Sequence, residues 1–311
     1  MRKIRVKACI YLIMISLIFL GACSRGDTVL NPKKKELSIV TSFYPIYAIT
    51  QEIAGDINDV RMIGSRNGIH SFEPSPADVR AINDADVFVY HSSTLEGWTK
   101  NLKENFEKKT VKVIEGTDGI QLQKVKGLED IEATDGIEEK SLYDPHSWLD
   151  PQLISDEAGI IAEKLGEIDP KNKQKYLDNA KEFQNRALDL LAKYDKRFKN
   201  IKKRTFVTQH TAFSYIANRY QLNQLGIAGI EDEEPSPRRI AEILEFVKEN
   251  KIKTIFAEPQ TSNKKAKVIA DATGVVVKTL DPLEADPQND KTFLENLDKT
   301  LDIIANDLAE K

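Results

Sequence analysis

Short apolar runs alternate with stretches of helical periodicity along residues 37–311. This alternation is typical of an α/β fold in which parallel strands are covered by helices. The predicted strands are 36–41, 60–64, 86–90, 111–115, 205–208, 222–227, 254–257 and 275–279. The predicted helices are 44–53, 76–84, 98–106, 151–166, 170–200, 212–219, 237–249, 263–272 and 290–309.

The longest helical pattern covers 170–200 and separates two sets of strands. Its apolar positions recur every three or four residues and form one stripe, which consists of Tyr176, Ala180, Phe183, Ala187, Leu190, Tyr194 and Phe198. A helix of about 30 residues is about 45 Å long, enough to join two lobes. We therefore expect an α/β lobe at 37–169, a long rigid connecting helix at 170–202 and a second α/β lobe at 203–311.

A short internal repeat favours two related lobes. The segment Glu-Pro-Ser-Pro at 73–76 recurs at 234–237, each time before a helix that leads into a strand. Ser75 is predicted to cap its helix, with Asp78 completing the cap. Chance repetition of a capping sequence is the alternative, but the matching strand–loop–helix context favours similar lobes.

The N-terminal segment predicts export and lipid attachment. Basic residues precede an apolar run at 8–20 that is too short to span a bilayer, so 1–22 is interpreted as a signal peptide. The following segment, 20–23, resembles a bacterial lipobox, which implies lipidation of Cys23 and a tether at 23–36. The predicted location is the extracellular face of the cell membrane. The alternative is an ordinary secretory signal with an incidental cysteine.

Composition narrows the class of protein. The chain is 41% hydrophobic and 30% charged, as in ordinary globular proteins, and its formal charge of −4 gives no sign of nucleic-acid binding. Of its two cysteines, Cys9 lies in the signal peptide and Cys23 would carry lipid. No disulfide and no thiolate metal ligand is therefore expected after residue 23.

Histidines mark the candidate chemistry, because the chain has only four. His70, His146 and His210 fall in loops beside strand or helix ends, where ligands collect in parallel α/β sheets. His91 follows the strand 86–90, so its position alone does not exclude it. Each histidine taken singly is better explained as a surface or hydrogen-bonded residue, whereas three in such positions favour a metal site.

Five segments stand in a recognisable order along the chain: His70 with 73–76, 95–98, 144–151, 209–213 and 280–284. Together they resemble the metal-binding lipoproteins of zinc and manganese ABC importers. More narrowly, they resemble the streptococcal zinc-binding and laminin-binding members. The resemblance covers nearly all of 37–311 and implies a metal site in the cleft between two α/β lobes.

The resemblance also implies the residues of that site. The implied metal ligands are His70, His146, His210 and Glu284. Asp281 is the alternative fourth ligand, although it also suits a turn before Pro282. Three imidazoles favour Zn²⁺ over the harder Mn²⁺. Asp144 and Glu258 are the expected carboxylate partners of the ligating histidines, and His91 has no ligand counterpart in the family.

The expected function is that of a receptor and not of an enzyme. The resemblance implies a lipid-anchored protein that captures Zn²⁺ and delivers it to the permease of an ABC importer. Two alternatives stay open, a Mn²⁺ receptor and a laminin-binding adhesin acting in addition to zinc uptake. A zinc hydrolase is disfavoured because the chain has no His-Glu-x-x-His motif. We expect a monomer, and an acidic loop at 117–142 that has no histidine to collect zinc.

Overall fold

Two four-stranded parallel sheets organise the structure. The computed structural model describes residues 37–310 apart from 65–68, 101–110, 127, 129, 131–141, 231 and 260. Across the first sheet the strands are Asp59–Met62 (β2), Ser38–Thr41 (β1), Val87–Tyr90 (β3) and Lys112–Glu115 (β4). Across the second they are Asn223–Gly226 (β6), Thr205–Thr208 (β5), Thr254–Ala257 (β7) and Val276–Thr279 (β8). Every strand pair is parallel, which confirms the predicted α/β fold.

Helices flank both sheets. In the part of the chain that the structure describes they are Tyr44–Ala54 (α1), Pro76–Asn83 (α2), Pro151–Ile168 (α3), Lys173–Lys199 (α4), Ser214–Arg219 (α5), Pro237–Glu249 (α6), Lys264–Thr273 (α7) and Phe293–Ala309 (α8). A short 3₁₀ turn covers Ser147–Leu149. Most boundaries differ from the predicted ones by one to three residues, because caps and turns decide where an element ends.

The two lobes share one topology, since each sheet places its first strand between its second and third. The repeated segment starts the helix before the third strand in both lobes. Ser75 Oγ accepts from Asp78 N in a capping box that starts α2, and Ser236 Oγ accepts from Arg239 N at the start of α6. The repeat therefore marks equivalent positions in the two lobes, which favours related lobes over chance recurrence of a capping sequence.

Helix α4 lies between the two sets of strands along the chain and contributes to a core that both sheets share. It has 27 residues, which corresponds to about 40 Å, and its predicted apolar stripe is buried throughout. Burial of each large apolar side chain contributes about 1.5–3 kcal/mol. One continuous apolar core contains this stripe together with Ile39 of the first sheet and Phe206 of the second. The predicted lobe boundaries stay predictions, because the core continues across them.

Several predicted features lie outside the described residues. They are the signal peptide, the lipidated cysteine and tether, most of the helix 98–106, and the middle of the acidic loop 117–142. Within the described ranges, none of the helices has the length and apolar character needed to cross a membrane.

Candidate metal centre

Four side chains from four different loops converge on one point. His70 lies between β2 and α2, His146 immediately precedes the 3₁₀ turn, His210 follows β5, and Glu284 follows β8. One potential ligand atom from each lies within 4.8 Å of the others. The structure thus brings together all four residues that the sequence singled out, two from each lobe.

The distances within the cluster suit a tetrahedral metal ion. His146 Nε2 is 3.2 Å from His70 Nε2, and Glu284 Oε1 is 3.4 Å from His70 Nε2 and 3.5 Å from His146 Nε2. His210 Nδ1 is 3.5 Å from Glu284 Oε1. Tetrahedral Zn²⁺ with bonds of about 2.0–2.1 Å separates its donors by about 3.3–3.4 Å. These four separations therefore lie close to those between the donors of a tetrahedral zinc ion.

Asp144 orients His146. Its Oδ1 accepts from His146 Nδ1 at 2.7 Å and from the His146 backbone N at 2.9 Å, and both residues are buried. A ring that donates from Nδ1 to a carboxylate presents the Nε2 lone pair to the cluster. Burial alone would lower the pKa of His146, but the charge of Asp144 and the hydrogen bond to it raise the pKa.

His210 is held from two sides. Its Nε2 donates to the Ile230 carbonyl oxygen at 2.9 Å, so Nδ1 is the nitrogen that faces the cluster. Glu258 Oε1, at the end of β7, lies 3.0 Å from that Nδ1. Burial lowers the pKa of His210, whereas the hydrogen bond to Glu258 and the charges of Glu284 and Glu258 raise it to about 10. Asp144 thus contacts the nitrogen of His146 that faces away from the cluster. Glu258 lies beside the cluster-facing Nδ1 of His210, whose other nitrogen is held by the Ile230 carbonyl, so the supporting role of Glu258 stays a prediction.

Glu284 is the anionic member of the cluster. Its side chain is 11% exposed. Burial would raise the pKa of Glu284, but hydrogen bonds to His146 and His70 and the charge of His210 hold it well below its usual range. A carboxylate that stays ionised among imidazoles is suited to bind a cation.

The loop before Glu284 explains why Asp281 does not reach the cluster. Asp281 Oδ1 accepts from Leu283 N at 2.8 Å, and its backbone oxygen accepts from Thr300 Oγ1 at 3.0 Å. Leu283 has a φ of 59°, a left-handed conformation that costs about 1–2 kcal/mol for a residue with a side chain. Burial of Leu283 at 1% exposure offsets that strain. The carboxylate of Asp281 therefore stabilises the turn that aims Glu284.

Sequence reasoning did not assign roles to three side chains that join the lobes beside the site. Trp148 Nε1 donates to the Pro282 carbonyl oxygen at 2.8 Å. Tyr215 Oη donates to the Asp144 carbonyl oxygen at 2.7 Å, and Arg219 Nε donates to Asp150 Oδ2 at 2.6 Å. Helical spacing on α5 could have paired Tyr215 with Arg219, but their partners are 71 and 69 residues away, respectively.

His91 lies outside the cluster, as its lack of a family counterpart suggested. It is fully buried at the end of β3. Its Nδ1 is 2.8 Å from Glu157 Oε1, and its Nε2 is 2.9 Å from the Pro145 carbonyl oxygen. Both ring nitrogens are thus engaged within the first lobe.

Comparison with known sequences places this geometry in context. The family described as "Zinc-uptake complex component A periplasmic" matches residues 39–307. The high-affinity zinc uptake system protein ZnuA of Bacillus subtilis (strain 168) is 33% identical over 311 residues, covering 97% of this chain and 98% of that protein. Zinc-binding lipoprotein AdcA of Streptococcus pneumoniae is 35% identical over 297 residues, or 93% of this chain. The chain spans 58% of the length of AdcA.

Solved structures match more closely. A Zn(II)-bound variant of AdcAII from Streptococcus pneumoniae has a TM-score of 0.82 and 56% identity, covering 88% of this chain and 99% of that chain. The laminin-binding protein Lmb of Streptococcus agalactiae has a TM-score of 0.80 and 52% identity, with coverage of 88% and 99%. Lmb is described as a bifunctional protein with adhesin and metal transporting activity.

Proposed function

Since the chain belongs to the family of zinc-uptake complex component A, we propose that it captures extracellular Zn²⁺ and delivers it to the permease of an ABC importer. The observation that carries this proposal is the cluster of three imidazoles and one carboxylate. His70 Nε2 lies 3.2 Å from His146 Nε2 and 3.4 Å from Glu284 Oε1, and both distances fit a tetrahedral ion. In this proposal His70, His146, His210 and Glu284 are the four metal ligands.

The donor set favours zinc over manganese. Imidazole nitrogens suit Zn²⁺, whereas Mn²⁺ prefers carboxylate, carbonyl and water oxygens and six-coordinate sites. Glu284 supplies the one carboxylate of the cluster, and the Asp281 carboxylate is engaged by Leu283 N. Four protein donors also complete a tetrahedral shell, which leaves no position for the metal-bound water that a hydrolase needs. The site is therefore suited to binding and not to catalysis.

The position of the cluster supports capture followed by release. Two ligands come from loops of the first lobe and two from loops of the second, so a bound ion bridges the lobes. Movement of either pair of loops would separate the donors and weaken binding. We propose that contact with the permease drives this separation.

Lipid attachment at Cys23 completes the proposal and would retain the receptor beside its permease. It is supported by the sequence Leu-Gly-Ala-Cys at 20–23 and by relatives that are named lipoproteins. Cys23→Ser is expected to move the protein from the membrane fraction to the medium. Unchanged membrane retention would contradict lipidation at this residue.

Metal analysis of the purified protein tests the central claim. We expect one zinc per chain, and calorimetry of the metal-free protein should show much tighter binding of Zn²⁺ than of Mn²⁺. Co-purified manganese, or tighter binding of Mn²⁺, would instead establish the manganese receptor. Binding of neither ion would overturn the proposed function.

A second candidate function, adhesion to laminin in addition to zinc uptake, is favoured by the similarity to Lmb. The purified protein is then expected to bind immobilised laminin in a saturable manner. Retention no greater than that of an unrelated protein of similar charge would remove this candidate.

A further inference from the structure

Both ring nitrogens of His91 face hydrogen-bond acceptors. Nδ1 faces a carboxylate, Glu157 Oε1, and Nε2 faces a backbone carbonyl, Pro145 O, at 2.8 and 2.9 Å. Neither a carboxylate nor a carbonyl can donate. A neutral imidazole has a single N–H, so when Glu157 is ionised the ring donates to both acceptors at once only in the imidazolium form.

Two carboxylates, those of Glu157 and Glu96, lie close to the His91 ring and would balance a positive charge on it. Glu157 on α3 is 1% exposed and Glu96, in the loop after β3, is fully buried. Glu96 accepts from the backbone N of His91 at 3.2 Å and of Ser92 at 2.8 Å, and also from Ser42 Oγ. Burial lowers the pKa of His91, but the charges of Glu157 and Glu96 and the hydrogen bond to Glu157 raise it. These two carboxylates thus favour the charged form of the ring in its closed pocket.

The acceptor of Nε2 lies directly before a proposed zinc ligand. Pro145 precedes His146, and Ser147 Oγ, on the other side of that ligand, is 3.2 Å from the same His91 Nε2. The ring of Trp148 contacts His91 edge-on, with ring centroids 5.2 Å apart. Nε2 of His91 therefore contacts the backbone of the loop that carries His146.

We propose that His91 is a positioning residue for zinc capture: held by Glu157, it anchors the Pro145 carbonyl and so sets the aim of His146. This inference rests on the proposed zinc-binding function. Asp144 fixes the rotation of the His146 ring, and His91 fixes the backbone that carries it. Partners outside a metal shell typically change affinity 10–100-fold when removed, which sets the size of the expected effect.

Zinc affinity of two variants tests the inference. His91→Gln removes the charge and one of the two donors, and Glu157→Gln removes the anion that holds the ring. Both are expected to raise the zinc Kd about tenfold or more. Tyr176→Phe is the matched control, because it removes the hydroxyl that links Asn58 and Asp169, a buried polar contact elsewhere in the first lobe. The control should lose stability while keeping the wild-type Kd.

Two spectroscopic measurements separate positioning from general stability. In the unsubstituted protein, ¹⁵N NMR of the imidazoles should show both nitrogens of His91 protonated at neutral pH, with and without zinc. In the Co²⁺-substituted protein, His91→Gln should shift the visible d–d bands, whereas Tyr176→Phe should not.

The outcomes distinguish this inference from the proposed function. An unsubstituted protein that binds no zinc overturns the proposed function. A protein that binds zinc with a neutral His91 ring, or whose His91→Gln variant keeps the same Kd and Co²⁺ spectrum, overturns this inference alone.

Discussion

Both lobes place an ionisable residue directly after the third strand of their sheet, but only the residue of the second lobe lies beside the candidate metal cluster. His91 directly follows the third strand of the first sheet, β3, and Glu258 directly follows the third strand of the second, β7. Each is part of a buried imidazole–carboxylate pair, His91 with Glu157 and His210 with Glu258. The nitrogen of His91 that does not contact Glu157 contacts the Pro145 carbonyl oxygen. In the second pair, the nitrogen of His210 that contacts Glu258 also faces Glu284.

This contrast shows what separates a structural histidine from a ligand candidate. Burial, strand-end position and a carboxylate partner are common to His91 and His210. The difference is whether one ring nitrogen faces the other potential metal ligands. His210 Nδ1 has Glu284 within 3.5 Å, whereas His91 Nε2 points at Pro145 O.

The largest effect is expected from His146→Ala. Loss of one of the four proposed ligands would leave an incomplete shell, so the zinc Kd should rise by more than about 100-fold, beyond the range typical of outer partners. Competition with a fluorescent chelator measures this affinity. His91→Gln should raise the zinc Kd less than His146→Ala does. An equal or larger increase in the Kd of His91→Gln would contradict the distinction between a ligand and a positioning histidine.

A smaller effect on the zinc Kd is expected from substitution of Glu284, the proposed fourth ligand. Glu284→Gln should weaken zinc binding on the order of 10- to 100-fold, because an amide replaces the anionic donor. Asp281→Asn should change the Kd only a few-fold and lower the free energy of unfolding by about 0.5–1.5 kcal/mol, through its weakened hydrogen bond to Leu283 N. Calorimetry with chemical denaturation measures both quantities. The reverse pattern would identify Asp281 as the fourth ligand.

These two carboxylates also show how far sequence reasoning reached. Both lie in the segment 280–284, and the sequence kept both as candidates. The choice depends on the left-handed backbone of Leu283, which no local pattern predicts because leucine rarely adopts it. Periodicity predicted α4, because one face of this helix is buried. Short apolar runs predicted the eight strands, because the central strands of parallel sheets are buried on both faces. The contacts of His91 and Tyr215 join residues more than fifty positions apart and leave no local signature.

A pH series sharpens the comparison of the two pairs. The raised folded-state pKa of His210, about 10, stabilises the metal-free protein fully below the unfolded value near 6.5, and this contribution is lost as the pH rises towards 10. Zinc binding has the opposite trend, since the metal must displace those protons. The increase in melting temperature caused by zinc should therefore grow from pH 6 to pH 8.

Differential scanning calorimetry with and without saturating zinc measures this trend. His91 provides the internal control, because zinc should not displace its proton, and its NMR signals should keep the doubly protonated pattern at both pH values. A zinc-induced shift that is constant across the series would contradict proton displacement from the cluster.

The smallest effect is expected where the second lobe holds the His146 loop of the first. Tyr215 Oη donates to the Asp144 carbonyl oxygen and accepts from Gln123 N at 3.0 Å. Tyr215→Phe leaves both backbone groups without this partner, which should cost about 1–3 kcal/mol of unfolding free energy. The zinc Kd should change only a few-fold, because the Asp144 carboxylate keeps its bond to His146. Urea denaturation and calorimetry measure the two effects.

Tyr220→Phe is the matched control for this contact. Tyr220 directly follows α5, and its buried hydroxyl has no hydrogen-bond partner among the described residues. Its ring stacks on Phe198, a contact that phenylalanine preserves. Removal of an unsatisfied buried hydroxyl should leave stability unchanged or raise it. If Tyr215→Phe were as stable as Tyr220→Phe, α5 would hold the His146 loop through packing and not through the Tyr215 hydrogen bonds.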